Sequence, residues 1–360
     1  MNHADVGWDT VAAGGAIVFV TTIHRCTCLS PRIPPTYIAL LLGAISAFFM
    51  KPGFGFGPEI FFYGMLPPII LRSGLEFDSN SVTTTWRTTA LYSIVGTIFS
   101  ALIIFFGCFV NTSLGFTKCT HIGAVLSSTD PVATISSMKY SSFSHEVRSV
   151  LENEALTNDA MAAMLTHATE QQRWSTSNTI LNVIVGIFTS LTVGAVGGFS
   201  LGGLENPIAV LGSAVSLFAF CEVLHASGIL CIFAFALTSK WRTQHEKLRP
   251  FVEIVADVAD IYCMFAVGTE VIYIDIDSFK VAVYVFLSCI VSRILFTVML
   301  GTLSMEGWTM DEMMMMGFSG ARGTLNYALA RSASSKIGPI VLCVVLMSAI
   351  TNFITSLVLH

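Results

Sequence analysis

Charge is what this sequence has least of: Asp, Glu, Lys and Arg together make up 11% of its residues. A soluble domain carries about 25%, and a chain this poor in charge cannot cover its own surface in water. The net charge of −5 comes with no dense basic block, which excludes nucleic acid as an expected partner. The nine cysteines include no C-x-x-C pair, and only Cys26 and Cys28 lie in a loop. Neither a disulfide framework nor a zinc site is expected, and small apolar filler is the role that remains. The stretch Met1 to Asp9 lacks the basic region of a signal peptide. No hydrophilic extension follows the last apolar run, so a transmembrane module without a regulatory tail is expected. There is no nucleophile–base pair and no His-x-x-x-His spacing, so neither enzyme chemistry nor a cofactor is expected.

What is present is apolar. Hydrophobic residues make up 54% of the chain, and its mean hydropathy is +0.74. A spanning helix needs about 20 mostly apolar residues. Runs punctuated by Gly, Pro and charge predict thirteen spans, at roughly 11–24, 36–50, 58–77, 86–110, 119–140, 148–168, 178–203, 206–223, 226–239, 251–273, 279–304, 309–331 and 337–359. The short first run is read as a spanning helix, although a processed targeting segment would look similar. Lys and Arg fall more often in the odd-numbered loops and their flanks, Arg72 among them, and most densely at 240–250. By the positive-inside rule those loops and the C-terminus are expected in the cytoplasm. An all-α, multi-pass integral membrane bundle follows, with the lipid bilayer as its surroundings.

Several ionisable residues nevertheless sit inside apolar runs: Arg293, Arg322, Asp130, Glu152, Glu154, Asp159, Glu222, Asp257, Asp260 and Glu270. Each costs at least about 2.5–3.5 kcal/mol at a helix centre on insertion scales. They must pair with one another or line a wet cavity. A scaffold has little use for so many; an ion or proton path does.

Mid-way along the run 119–140 stands Ser127-Ser128-Thr129-Asp130-Pro131-Val132-Ala133. Proline breaks a helix interior, whereas Asp is a preferred N-cap and Pro a preferred first helical residue. The reading is one half-helix ending near Ser128 and another starting at Asp130, and a capped proline kink would give the same pattern. Such a break at membrane depth is tolerated only where it is buried in protein or lines a cavity, and its freed carbonyls can face a cation. The next run carries Glu152-Asn153-Glu154-Ala155-Leu156-Thr157-Asn158-Asp159, with Asp159 well inside it. Removing a carboxylate from water favours its protonated form, while a bound cation favours its ionised form. Sodium and a proton can therefore compete for one such acid; a structural pair with an arginine is the alternative. Asn158 shares a helix face with Glu154 and offers a neutral amide.

The run 309–331 is interrupted in a corresponding position by Gly317, Gly320 and Gly323 around Arg322, each glycine weakening a helix by about 1 kcal/mol. Paired interruptions in two halves point to an inverted-repeat transporter with two broken, crossing helices and a midplane site. The positive charge of Arg322 can offset the negative half-helix ends there. Close helix packing would also explain the glycines.

Taken in order, these segments resemble the sodium/proton exchangers of the cation/proton antiporter family, in the electroneutral branch. That branch shows a Thr-Asp-Pro-Val-like break followed by Gly-Glu-Ser-x-x-Asn-Asp; here the residues are Thr129-Asp130-Pro131-Val132 and Asn153-Glu154-Ala155-Leu156-Thr157-Asn158-Asp159. The Leu-Pro-Pro-Ile-Ile-Leu run at 66–71, Glu222 with Ser227-Gly228-Ile229, Arg293, and Gly320-Ala321-Arg322-Gly323 also match, from about residue 36 to 358. Two departures stand out. The serine whose hydroxyl helps coordinate the ion in the family is Ala155 here, four residues before Asp159 and on its face. Asp257 and Asp260 stand where apolar residues are usual and have no assigned role.

The resemblance implies exchange of sodium for a proton, with lithium or potassium as alternative cations. Asp159 would carry the exchanged charge and hold the sodium ion. Asp130 and the Thr129 carbonyl would shape the site, Asn158 would orient it, and a Glu154–Arg293 pair would brace it beside Arg322. It further implies ion-binding core helices at about 86–168 and 279–359, panel helices at about 11–77 and 206–273, a linker helix at about 178–203, and a homodimer formed by the panel. A cation channel and a non-transporting pH or cation sensor on the same fold remain the rival readings. The sequence does not distinguish plasma membrane from endomembrane.

Overall fold

Backbone in hydrocarbon must satisfy its own hydrogen bonds, and helices do so within one segment. The computed structural model describes residues 14–22, 35–49, 57–77, 87–130, 145–170, 178–224, 226–240, 245–303, 309–318, 320–333 and 337–358, and every regular element among them is helical. In chain order these are α1 (14–22), α2 (Pro35–Ser46), α3 (Pro58–Ile60, Phe61–Met65 and Leu66–Glu76), α4 (Arg87–Asn111), α5 (Phe116–Val125), α6 (His145–Glu170) and α7 (Asn178–Leu201). There follow α8 (Pro207–Val223), α9 (Gly228–Ser239), α10 (His245–Thr269), α11 (Ile276–Leu303), α12 (Met310–Phe318), α13 (Thr324–Ala333) and α14 (Gly338–Val358). Each of the thirteen predicted runs contains a helix. The run 309–331 holds two, α12 and α13. Within 119–140, α5 ends at Val125; Pro131, Val132 and the expected second half-helix lie outside the described residues.

Among the described residues three helices are long and apolar enough to cross a membrane by length and composition: Arg87–Asn111, Ile184–Leu201 and Ile276–Gly301. Pro35–Ser46, Pro207–Val223, Gly228–Ser239 and Gly338–Asn352 are shorter apolar helices. The radial distribution of side chains is the reverse of a water-soluble bundle. Leu41, Phe106, Val110, Phe188, Val196 and Leu287 are exposed, whereas Ser128, Asn153, Glu154, Asp159, Arg293 and Asn326 are buried. Large apolar side chains facing outward around a polar interior suit a lipid exterior.

Local sequence explains the irregularities. Pro67 and Pro68 cannot donate backbone hydrogen bonds to the preceding turn, and a wider π turn at Phe61–Met65 absorbs the defect without ending α3. Helix α8 ends at Val223 and α9 starts at Gly228. Ser227 caps α9 by accepting from Leu230 N–H at 3.3 Å, and Glu222 Oε1 accepts from Gly228 N–H at 2.9 Å. Glu222, which the sequence leaves without a role, thus satisfies an orphan donor at a helix N-terminus. Helix α2 lies along α10, α7 along α9, and α4 along α11, which also packs on α12 and α14. The α2–α10 contact depends on Gly43 and Gly268. A Cβ on Gly43 would run into the Phe265 carbonyl, and one on Gly268 into the Leu40 carbonyl, so only glycine lets these backbones approach.

Candidate ion site at two helix breaks

Helix α5 stops at Val125, and Leu126 to Asp130 continue as irregular backbone with Ser127, Ser128 and Thr129 buried. Helix α12 stops at Phe318, and Gly320–Gly323 run non-helically into α13. The two breaks meet. Asp130 donates its backbone N–H to the Ala321 carbonyl at 2.8 Å, and Gly323 lies so close to the Asp130 carboxylate that a Cβ there would overlap it. A truncated helix leaves carbonyls without partners, and here donors from the second break take them. Asn326 Nδ2 donates to the Val125 carbonyl at 2.8 Å. It also reaches the Ser128 carbonyl at 3.4 Å and the Ser128 hydroxyl at 3.2 Å. The Arg322 guanidinium donates to the same Ser128 carbonyl, setting a positive charge at the negative end of α5. Asn326 Oδ1 accepts from Gly323 N–H at 3.0 Å, and Ser348 Oγ accepts from Arg322 N–H at 3.1 Å.

Helix α6 supplies the third wall. Asn158 Nδ2 donates to Thr129 Oγ1 at 2.8 Å, and Thr129 N–H donates to Asn158 Oδ1 at 3.4 Å. Asn158 therefore docks α6 against the first break with both ends of its amide. Asn158 Nδ2 also approaches Glu154 Oε1 at 3.5 Å. Glu154 meets Arg293 of α11 in a two-pronged ion pair, with Arg293 Nη2 donating to Oε2 at 2.7 Å and Nη1 to Oε1. The side chains of this pair are 2% and 7% exposed, so it is closed to solvent. Thr157 turns the other way: its hydroxyl donates to the Asn153 carbonyl at 2.6 Å and lies 2.5 Å from Ser93 Oγ on α4. Ala155, four residues before Asp159 on α6, is fully buried.

Asp159, 5% exposed, opens onto a cavity of about 40 Å³, room for a few waters or a small cation. From α6, α13 and the two breaks the cavity is lined by Asp130, Asp159, Gly323, Thr324, Leu325 and Asn326, and from α2, α3 and α10 by Thr36, Phe61, Leu66, Ile69, Ile70, Asp260 and Met264. The site thus lies where α6, α13 and the first break face α2, α3 and α10.

Of the residues singled out in sequence, Asp130 and Asp159 line this cavity. Thr129 and Asn158 sit one layer behind, Glu154 and Arg293 form their pair on the far side of Asn158, and Arg322 bridges the breaks. Asn326, Ser348 and Asp260 were missed as site residues. Asn326 carried one usable signal, a polar amide three residues past the Gly-Ala-Arg-Gly segment in an otherwise inward-facing helix. Arg72 requires a correction: counted with the loop and flanking charges, it lies inside α3 and pairs with Asp257 at 2.6 Å and Asp260 at 3.0 Å.

The profile described as "Sodium/hydrogen exchanger, transmembrane" matches residues 15–359. The chain is similar to sodium/hydrogen exchanger 7 of Homo sapiens, 24% identical over 326 residues, covering 76% of this chain and 44% of that protein. It is similar to sodium/hydrogen exchanger 9 of Equus caballus, 25% identical over 328 residues, covering 76% of this chain and 50% of that protein. The chain therefore spans about half the length of the curated relatives it matches. The solved structure of the sodium proton antiporter MjNhaP1 from Methanocaldococcus jannaschii at pH 8 superposes with a TM-score of 0.75 at 16% identity, over 99% of this chain and 96% of that one. At that identity the likeness speaks for the fold, an all-helical multi-pass membrane bundle. With the profile spanning nearly every residue, the protein belongs to the sodium/hydrogen exchanger family, whose members are transporters and not enzymes.

Proposed function

We propose that the chain exchanges sodium, or lithium, for a proton across a membrane, with Asp159 carrying either species in turn. The observation that carries this reading is a buried Asp159 on a small cavity shared with Asp130 and bounded by two helix breaks. A single carboxylate that holds one monovalent cation or one proton moves no net charge per cycle, which is electroneutral exchange. Asp130 and the Thr129 carbonyl shape the site, and Asn158 orients it. The Glu154–Arg293 pair holds α6 to α11, and Arg322 neutralises the end of α5.

Alternating access on this reading is a rigid displacement of a core, about 86–168 and 279–359, against a panel, about 11–77 and 206–273. Helix α7 links the two. The cavity supports that division, because its lining is drawn from both sets, mostly polar residues from the core and mostly apolar ones from the panel. Correspondence of the two breaks supports an inverted repeat with crossing half-helices. A homodimer through the panel and a cytoplasmic C-terminus complete the reading.

The test is cation-driven proton flux in proteoliposomes, comparing sodium, lithium and potassium. Asp159→Asn should abolish flux for all three. Undiminished flux would discard the mechanism, and sodium current without a pH gradient in a voltage-clamped bilayer would replace exchange by conductance. Sodium-dependent thermal stability without any flux would reassign the chain as a sensor.

A further inference from the structure

The cavity at Asp159 and Asp130 has a third acid in its lining, Asp260 of α10. Its side chain is 12% exposed and its Oδ2 accepts from Arg72 Nη2 at 3.0 Å, the one hydrogen bond it makes among the described residues. Arg72 is itself largely buried, with a side chain 13% exposed, and its other nitrogen donates to Asp257 at 2.6 Å. Asp257 lies one helical turn before Asp260 and is 67% exposed. One guanidinium thus spans two acids, one at the surface and one at the ion cavity.

A structural ion pair needs one acid for one base. Here Arg72 bonds two, Asp257 and Asp260, with the Glu76 carboxylate of its own helix also acting on it, so the arginine can release Asp260 without becoming an isolated buried charge. Arg72 is the cation that Asp260 holds. We propose that Asp260 is a second cation-contacting carboxylate of the transport cavity, and that Arg72 is its resident counter-ion, which swings towards Asp257 when a transported cation enters. This rests on the exchange reading above and adds to it a residue that sets cation affinity from the panel side. Asp159 decides whether a proton or a cation is carried; Asp260 decides how strongly the cavity draws the cation in.

The experiment uses the full chain in proteoliposomes, with apparent KM and maximal rate measured for sodium, lithium and potassium. Removing a charge from a small, poorly screened cavity should weaken cation binding about tenfold. Asp260→Asn is therefore expected to raise the apparent KM far more than it lowers the maximal rate, and to change the ranking or spacing of the three cations. Asp260→Glu should retain most of the affinity. Arg72→Gln removes the competing internal cation and should shift the apparent KM the opposite way. Asp257→Asn removes the acid that takes Arg72 over, leaves the guanidinium to Asp260, and should raise the apparent KM too, by less than Asp260→Asn does. The proposal is overturned if Asp260→Asn keeps the parent KM and cation ranking. It is equally overturned if Asp260→Asn loses only thermal stability and Arg72→Gln restores it, since that is a structural pair and nothing more. Persistence of flux in Asp159→Asn would instead sink the exchange reading itself, so the two failures are distinguishable.

Discussion

Glu154 receives both terminal nitrogens of Arg293, and the pair is sealed between α6 and α11. Burying both charges costs several kcal/mol of desolvation each, which a two-pronged geometry largely offsets. The consequence is asymmetric. Removing one partner leaves the other charged and unpaired, so Glu154→Gln should destabilise by about 3–5 kcal/mol, whereas replacing both by apolar residues of similar volume should be close to neutral. Unfolding in detergent of Glu154→Gln, Arg293→Met and the double variant Glu154→Leu/Arg293→Met checks this. Single effects that simply add in the double variant would show that the two residues do not act as a pair.

Gly323 is the point where the second break touches the first. A Cβ there would overlap the Asp130 carboxylate, and the Asp130 backbone is already fixed by its bond to Ala321. Gly323→Ala must therefore push the two breaks apart, with an expected cost of about 1–3 kcal/mol and a matching loss of flux. Gly212, in the interior of α8 with open space around its Cβ position, provides the contrast. There alanine should stabilise by about 0.5–1 kcal/mol through helix propensity alone. Equal effects at the two positions would mean that the contact at Gly323 relaxes freely.

The sequence is legible where one residue type has one physical reason to be there. Asp130 before Pro131 marks the first break because a cap and a first-turn proline have no place mid-helix, and Gly320–Gly323 mark the second. The low charge content makes the remaining buried acids conspicuous, so Asp159 stands out with no structure at hand. What is not legible is which polar groups a fold brings together across long separations. Nothing near Asn326 says that its amide will satisfy the Val125 carbonyl at the far end of another helix. Arg72 is misread for the same reason: beside the end of an apolar run it looks like a boundary charge. Only the packing of α3 on α10 turns it inward to Asp257 and Asp260. Helix boundaries shift too. Helix α10 begins at His245 and passes through Pro250, because charged residues can extend a helix beyond the apolar stretch.

Ala155 is the departure from the family pattern most open to experiment. It is buried one turn before Asp159 on α6. A hydroxyl there adds one oxygen for a cation or its water. Since a net hydrogen bond contributes about 0.5–1.5 kcal/mol, Ala155→Ser should lower the apparent KM for sodium by about two- to tenfold, with a smaller effect on the maximal rate. Cation-titrated flux in proteoliposomes measures it directly. An unchanged KM would mean that this face of α6 does not reach the ion, and that Asp130 with the broken backbone supplies the coordination.

Asn326 tests whether the meeting of the breaks depends on side chains or on helix packing alone. Its amide donates to the Val125 carbonyl and reaches Ser128, while its carbonyl accepts the Gly323 N–H. Every one of these groups is buried, and a buried polar group left without a partner costs about 1–3 kcal/mol. Asn326→Ala orphans a donor on one break and an acceptor on the other, so a loss of about 2–5 kcal/mol is expected. The damage should be local before it is global. Amide exchange should rise first at Leu126–Asp130 and Gly323, while the α7–α9 pair, which takes part in none of Asn326's hydrogen bonds among the described residues, keeps its protection. Uniform loss of protection across all helices would argue against a discrete junction. Unchanged exchange at Gly323 would mean that water replaces the amide at no cost and that Arg322 and the Asp130–Ala321 bond suffice to hold the breaks together.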